Sequence, residues 1–248
     1  MSISSDAPAA NGVLRALPHE NAKRLLARCE QVSITYGDIL CEPGEQIRHV
    51  YFPNSGVISL LTPVDGHANV EVGLVGREGM AGMGVFLGID TSPVRMLVQG
   101  TGTAMRMEAV QFRAEIKRNP LLQRELNHYL YAFMAQVSQT AACNRHHLLD
   151  SRLARWLLMT HDRVQSDEFL LTQEFLAQML GVRRVGVTRA AWQLQKKGLI
   201  RYRRGHIVVL DRLGLENASC RCYQTVNDIR DRMLNATVAP AEPARELP

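Results

Sequence analysis

The sequence predicts an α+β chain with an N-terminal antiparallel β-roll or jelly roll, a long helix and a C-terminal winged helix-turn-helix. Three observations carry that prediction. Short β-rich runs broken by turn residues fill positions 37 to 100. An apolar stripe at three- and four-residue steps follows Pro120. After Thr172, a small residue, a glycine and a branched apolar residue stand where two steeply crossing helices need them.

The first residues, MSISSDAPAANG, are small and polar, and residues 1–20 read as a disordered tail. They lack the basic start and apolar core of a secretory signal, so the cytoplasm is the expected compartment. No stretch approaches the roughly 18 uncharged apolar residues of a membrane span. Leu14–Cys29 is predicted helical, packed outside a barrel. The strand runs include His49–Phe52, Val57–Leu61, Val70–Val75 and Met96–Gln99. Turn signals stand between them at Pro43-Gly44, Asn54-Ser55-Gly56, Asp65-Gly66 and Gly76. Crossover helices have no room here, so the sheet is antiparallel. Residues 21–118 are the expected roll, closed by a short helix over Glu108–Lys117.

Asn119-Pro120 marks a boundary. Leu122, Leu126, Tyr129 or Leu130, Phe133, Val137 and Thr140 or Ala141 then share one helical face. Small residues at Ala135, Ser138, Ala141 and Ala142 suit close packing against a partner helix. Residues 119–147 are the expected dimerisation helix; the alternative lays it on its own barrel. Asp150 or Ser151 would cap the next helix, whose Leu153, Trp156, Leu157 and Thr160 share a face. QSDEF (165–169) reads as a polar turn.

Thr172 is a good N-cap, and Glu174 suits the positive end of a helix dipole. The helix Gln173–Leu180 stops at Gly181, and a second runs from about Arg183 to Lys197. Ala177, Gly181 and Val187 supply the small contact, the turn and the anchor; Leu176, Leu180 and Val182 complete the core. Leu199–Tyr202 and His206–Leu210 read as two strands of a wing joined through Arg203-Arg204-Gly205. Residues 148–222 form this unit, and residues 223–248 are the end of a C-terminal helix and a tail.

Charge follows the same division. Thr172 to Arg212 holds nine Lys/Arg and two acids, a balance of +7 in a chain of net charge +5. The rest of the chain is therefore about −2. A basic C-terminal third on a nearly neutral body is the footprint of a nucleic-acid-binding module. The alternative is a solvated basic helix, but the charges cluster at the start of the second helix and at the wing tip, where DNA would lie.

Other chemistry has less support. The five cysteines are odd in number and scattered, which argues against a disulfide framework and against a metal site. If Asp211 caps one final helix, Cys220 and Cys222 lie about 200° apart on it and cannot face one ligand. No catalytic residue is expected. A metal-dependent jelly-roll enzyme needs clustered ligands, and the roll offers only His49 and His67 while His146 and His147 diverge on a helix. A ligand-binding jelly-roll module without a DNA role would leave the C-terminal spacing without a purpose.

The segment LTQEFLAQMLGVRRVGVTRAAWQLQKKGLIRYRRGHIVVL resembles the DNA-binding domain of the Crp/Fnr family of bacterial transcription regulators. GDILCEPGEQIRHVYFPNSGVISLL is similar to that family's cyclic-nucleotide-binding-type roll, with its G-D, P-G-E, V-Y-F and S-G-V skeleton. The resemblance covers roughly residues 20 to 222 and implies a homodimer on double-stranded DNA, with RNA polymerase as a further partner. It implies that Arg184, Val185, Thr188 and Arg189 read bases, and that Thr172, Gln173, Arg183, Arg203 and Arg204 hold phosphates. The family's recognition helix carries Arg-Glu-Thr-Val-(Gly/Ser)-Arg where this chain has Arg184-Val185-Gly186-Val187-Thr188-Arg189. Val185 replaces an acid that reads cytosine and offers contact to a thymine methyl instead.

The sensor departs further. The candidate effector pocket is Gly82, Met83 and Arg95, but Met83 stands where the family has a ribose-binding Glu, and Met96 follows Arg95 in place of a hydroxyl residue. The cofactor is therefore unknown, and the residues do not favour a cyclic nucleotide. The family's N-terminal iron–sulfur cysteines are absent. His49, His67 and Met83 are the residues open to haem ligation. The expectation is a DNA-binding transcription regulator controlled by an unidentified signal.

Overall fold

The computed structural model describes residues 10–65, 67–164 and 166–235; the side chains of residues 67, 68 and 235 fall outside that set. Two short helices, α1 (Gly12–Arg15) and α2 (His19–Leu26), precede the roll. The single predicted helix breaks in two because Pro18 lacks an N–H and sits at the N-cap of α2. The tail expectation fails from Asn11 onward. Asn11 is fully buried, and its Nδ2 donates to Pro53 O (2.9 Å) and Gly79 O (2.8 Å). Its Oδ1 accepts from Val13 N and Leu14 N, capping α1. Residues 1–9 lie outside the described set.

The strands are β1 (Glu30–Ile34), β2 (Ile39–Cys41), β3 (His49–Pro53), β4 (Val57–Val64), β5 (His67–Val75), β6 (Arg95–Gly100) and β7 (Gly102–Glu108), with α3 (Met83–Phe86) between β5 and β6. They form two antiparallel sheets, ordered β1-β7-β3 and β2-β6-β4-β5. Ile34, Phe52, Ile58, Val98, Ala104 and Met107 fill the core of this roll. Gly56 turns the chain between β3 and β4 at φ 83°, and a Cβ there would stand 2.5 Å from Gly100 O. Only glycine fits that close approach.

Helix α4 (Ala109–Arg118) leads into α5 (Pro120–His146), whose N-cap Asn119 accepts from Leu122 N at 3.1 Å. Leu122, Leu126 and Tyr129 are buried in the roll's core, and Phe133 packs against it. Much of the stripe assigned to a partner helix therefore lies on the chain's own roll. The closest point is Gly79, where an added Cβ would fall 1.9 Å from the Tyr129 ring. Gln136 Nε2 donates to Leu74 O and its Oε1 accepts from Leu74 N, which satisfies one residue on the open side of edge strand β5.

The C-terminal part holds α6 (Leu149–Val164), β8 (Glu168–Leu170), α7 (Gln173–Leu180), α8 (Arg184–Lys196), β9 (Ile200–Arg203), β10 (His206–Val209), α9 (Arg212–Ala218) and α10 (Cys222–Asn235). Asp150 sits in the first turn of α6 rather than before it. The segment read as a polar turn contributes β8, which pairs with β10 to give a β8-β10-β9 sheet. Residues 223–235 are likewise more than a helix end: α10 packs along α5, with Tyr223 and Val226 buried, while residues 236–248, read as a tail, lie outside the described set.

The two parts share one apolar cluster, in which Val57, Leu61 and Leu74 of the roll meet Leu157, Leu176 and Leu180. Polar groups cross the same boundary. Trp156 Nε1 donates to Glu71 Oε1 at 2.8 Å, and Arg163 Nε donates to Glu78 Oε1 at 2.8 Å. Ser59 Oγ lies 2.8 Å from Glu71 Oε2 and also contacts Gln99 Oε1. Gln99 Nε2 donates to Thr160 Oγ1 at 3.1 Å. Among the described residues, no helix is long and apolar enough to cross a membrane.

Candidate nucleic-acid interface

Thr172 Oγ1 accepts from Phe175 N at 3.1 Å and so starts α7. Gly181 ends it at φ 62°, ψ 41°, the left-handed geometry that glycine adopts at least cost. The Gly181 turn rests on the roll, with the Val70 methyls 3.3 Å from where its Cβ would be. Arg183 occupies the N-cap of α8 with extended backbone and no side-chain capping bond, leaving its guanidinium exposed.

Helix α8 is held by Val187, Ala190, Ala191 and Leu194, all buried. At about 100° per residue, Arg184, Thr188, Trp192, Val185 and Arg189 then fall within an arc of about 140° on the opposite side. All five are exposed, Val185 at 73%. The four predicted base readers thus share one open face. Thr188 is tied down on it: its Oγ1 lies 2.8 Å from Gln173 Oε1 and 3.1 Å from Arg184 O. Gln173 thus contacts α8 through Thr188 and Thr172 caps α7, alongside the phosphate contacts expected of both.

The wing is a two-residue hairpin. His206 pairs with Arg203 across it, and Arg204 (φ 49°) and Gly205 (φ 82°) are both left-handed. That is the geometry of a type I′ turn, whose twist matches the strands it joins. Arg203 and Arg204 are exposed at its tip. Between α8 and the wing lies a groove of about 430 Å³, lined in part by Gln173, Arg184, Thr188, Trp192, Gln195 and Tyr202. Tyr202 fixes its floor, donating from its hydroxyl to Leu171 O (2.7 Å) and from its N–H to Gln195 Oε1 (2.8 Å). Burial pushes its phenol up to about 12, against the opposing charge of Arg184, so it stays a neutral donor.

Trp192 was missed by sequence reasoning, although it is 53% exposed and carries Lys196 Nζ 5.3 Å from its ring centre. Its only sequence signal is its place two turns after Arg184. Lys196, four residues on, extends the same cationic face.

Of the predicted effector residues, Gly82 and Met83 stand at the start of α3 and Arg95 at the start of β6. Gly82 is left-handed at φ 91° and packs against Ile47, His49 and Val50, while Met83 opens the four-residue α3. Arg95 pairs with Glu42 at 2.8 Å, so its charge is already met. His49 stacks near Tyr51, and burial, with Arg106 nearby, holds its pKa below the ordinary value. The side chain of His67 lies outside the described residues.

The cysteines differ from expectation. Asp211 does cap a helix, accepting from Gly214 N at 2.8 Å, but α9 ends at extended Ser219 and α10 starts anew at Cys222. Cys220 and Cys222 therefore do not diverge on one helix; both face Cys143, and the three form a buried cluster.

Residues 151–218 match the family model of the Crp-like helix-turn-helix domain. No curated protein matches in sequence. Three solved structures are similar. The c-di-GMP responsive global regulator CLP of Xanthomonas campestris is 17% identical with a TM-score of 0.64, over 77% of this chain and 99% of that one. FixK2 of Bradyrhizobium japonicum is 13% identical with a TM-score of 0.62, over 77% and 98%. A Crp-family transcriptional regulator from Thermus thermophilus is 17% identical with a TM-score of 0.63, over 76% and 96%. At these identities the likeness shows the fold. Residues 151–218 thus form a Crp-like helix-turn-helix domain, and over about three quarters of its length or more the chain has the fold of the Crp/Fnr transcription regulators.

Proposed function

We propose that the chain is a sequence-specific DNA-binding transcription regulator that acts as a homodimer. The observation that carries this reading is the open face of α8, where Arg184, Val185, Thr188 and Arg189 stand together beside the Arg203-Arg204 wing tip. Arg184 and Arg189 each offer a bidentate fork for guanine, and Val185 an apolar contact for a thymine methyl. Arg183, Arg203 and Arg204 neutralise phosphates to either side.

The proposed dimer contact is a second face of α5. Asn127, Tyr131, Met134, Ser138 and Ala141 recur at alternating four- and three-residue steps, the spacing of a coiled-coil seam. Tyr131 and Met134 are each 59% exposed, which suits residues awaiting a partner helix. Two subunits joined there would read a pseudo-palindrome with half-sites about 34 Å apart. The roll would receive the controlling signal, and RNA polymerase would be the downstream partner.

Selection of bound duplexes from a random pool, followed by a salt titration on the winner, tests this. The expected outcome is a palindromic site and a steep fall in affinity with salt, as counterions are released. A slope near zero would sink the proposal. Sedimentation of the free protein checks the dimer, and a monomer at micromolar concentration would remove the α5 seam from it.

A further inference from the structure

Cys143 lies in the last turn of α5, and His147 is the C-cap residue of that helix, its N–H donating to Cys143 O at 3.1 Å. Cys220 and Cys222 come from the break between α9 and α10 and meet them there. The Nδ1 or Nε2 of His147 and the three Sγ atoms all lie within 4.8 Å of one another. Cys143 Sγ is 3.5 Å from Cys220 Sγ, and Cys222 Sγ is 3.4 Å from His147 Nδ1. A tetrahedral zinc ion with bonds of about 2.3 Å to sulfur and 2.0 Å to nitrogen sets its ligands about 3.5–3.8 Å apart. The two edges, 3.5 and 3.4 Å, are near that value. A four-iron cluster would put each ligand on a different iron and a two-iron cluster would split them into two pairs, and either would hold ligands on different irons further apart.

The surroundings match the charge such a site would carry. Gln139, one turn before Cys143, donates from Nε2 to Cys222 Sγ at 3.0 Å. Arg155 is buried, donates to Thr140 Oγ1 at 2.9 Å, and its positive charge acts on the Cys143 thiol. The Nε atoms of Arg152 and Arg155 are buried without a hydrogen-bond partner, and among the described residues neither guanidinium has a carboxylate within ion-pair distance. Arg152 is half-buried and donates to Leu180 O, the buried Arg155 also bears on the Glu71 carboxyl, and a thiolate-rich metal complex beside these two guanidinium groups would be a favourable further counter-charge.

We propose that Cys143, His147, Cys220 and Cys222 form a closed structural site for zinc, tying the α9–α10 junction to the end of α5. On binding, three thiols release their protons to solvent, His147 contributes the lone pair of its neutral ring, and the complex carries one net negative charge. No electrons are exchanged. Three ligands are buried and His147 is exposed, which gives the ion an entry path. The site fixes the backbone on both sides of the helix-turn-helix domain, since α6 begins just past His147 and α9 follows β10.

The test uses the full chain, purified with its thiols reduced, then gel-filtered and measured for metal by mass spectrometry. Zinc is expected in equimolar amount, and loss to background in C143S, C220S and C222S, with C29S and C41S unchanged. Cobalt(II) substitution is expected to give a thiolate-to-metal band in the near ultraviolet and the visible bands of a tetrahedral ion. Gln139→Ala keeps all four ligands and is expected to weaken zinc by about 10–100-fold at an unchanged circular dichroism spectrum. Reduced, folded protein that takes up neither zinc nor cobalt would overturn the proposal. So would an iron chromophore with acid-labile sulfide, or a Cys143–Cys220 disulfide as the resting state. Metal content is read without DNA, so its outcome stands apart from that of the operator experiment.

Discussion

Glu71→Gln is expected to stabilise the protein at high pH and leave it nearly unchanged at low pH. Glu71 is buried where the roll meets α6, and burial pushes its carboxyl from the ordinary 4.5 up to about 7, although it shares hydrogen bonds with Ser59 and Trp156. The hydrogen-bond pattern agrees. Ser59 has one hydroxyl proton and two oxygens facing it, Glu71 Oε2 and Gln99 Oε1. The Gln99 amide nitrogen is committed to Thr160, so Ser59 donates to Gln99 and a protonated Glu71 donates to Ser59. The folded state thus keeps a proton that the unfolded chain releases. Stability then falls as pH rises from about 4.5 to about 7 and levels off above. At about 1.4 kcal/mol per pH unit, the whole effect is on the order of 3 kcal/mol. Glutamine cannot ionise, accepts from Trp156 through its carbonyl and donates to Ser59 through its amide. Urea unfolding at fixed protein concentration, followed by Trp156 fluorescence in a Trp192→Phe background, reads the difference. The variant should match its parent at pH 4 and exceed it by roughly 3 kcal/mol at pH 8. An equal gap at both pH values, or a parent that is the more stable at pH 8, would refute the reasoning.

Arg184→Ala should weaken binding to a selected operator by about 1–3 kcal/mol and relax the base preference at one position of each half-site, as repeat selection would show. Replacing Arg203 and Arg204 together by Ala should weaken all duplexes alike and lower the salt slope by about two per wing; a changed base preference would count against a phosphate role. Gly79→Ala forces a methyl into the Tyr129 ring at 1.9 Å, and should cost about 3 kcal/mol or more of stability, read as a fall in Tm.

Local chemistry was legible and distant pairing was not. The helix-turn-helix could be read from Ala177, Gly181 and Val187 because its constraints fall within fifteen residues. The long helix was legible as a helix, yet periodicity alone does not say which face stays in the chain. Leu126 and Tyr129 turned inward because the roll offers Gly79 and an apolar edge, which leaves Tyr131 and Met134 outside. Strand β8 has three residues and exists through its pairing with β10, some forty positions later. Asn11 looked like tail because its two carbonyl partners, on Pro53 and Gly79, are remote in sequence. Cys143 and Cys220 are 77 residues apart, and the break at Ser219 that aims Cys220 and Cys222 inward carries no glycine or proline to announce it. Trp192 escaped notice because an aromatic within a helix usually reads as core.

Arg204 has a consequence for anyone engineering this chain. It is the one non-glycine residue with positive φ among those described, and the left-handed region costs an ordinary side chain about 1–2 kcal/mol. Asn or Gly would relieve that cost at the tip of the hairpin. A library ranked by heat resistance should therefore enrich Arg204→Asn and Arg204→Gly while discarding a proposed DNA anchor. A library ranked by operator retention should restore arginine. Run in parallel, the two selections would diverge at this one codon, and the distance between them would measure how much the wing contributes to holding DNA.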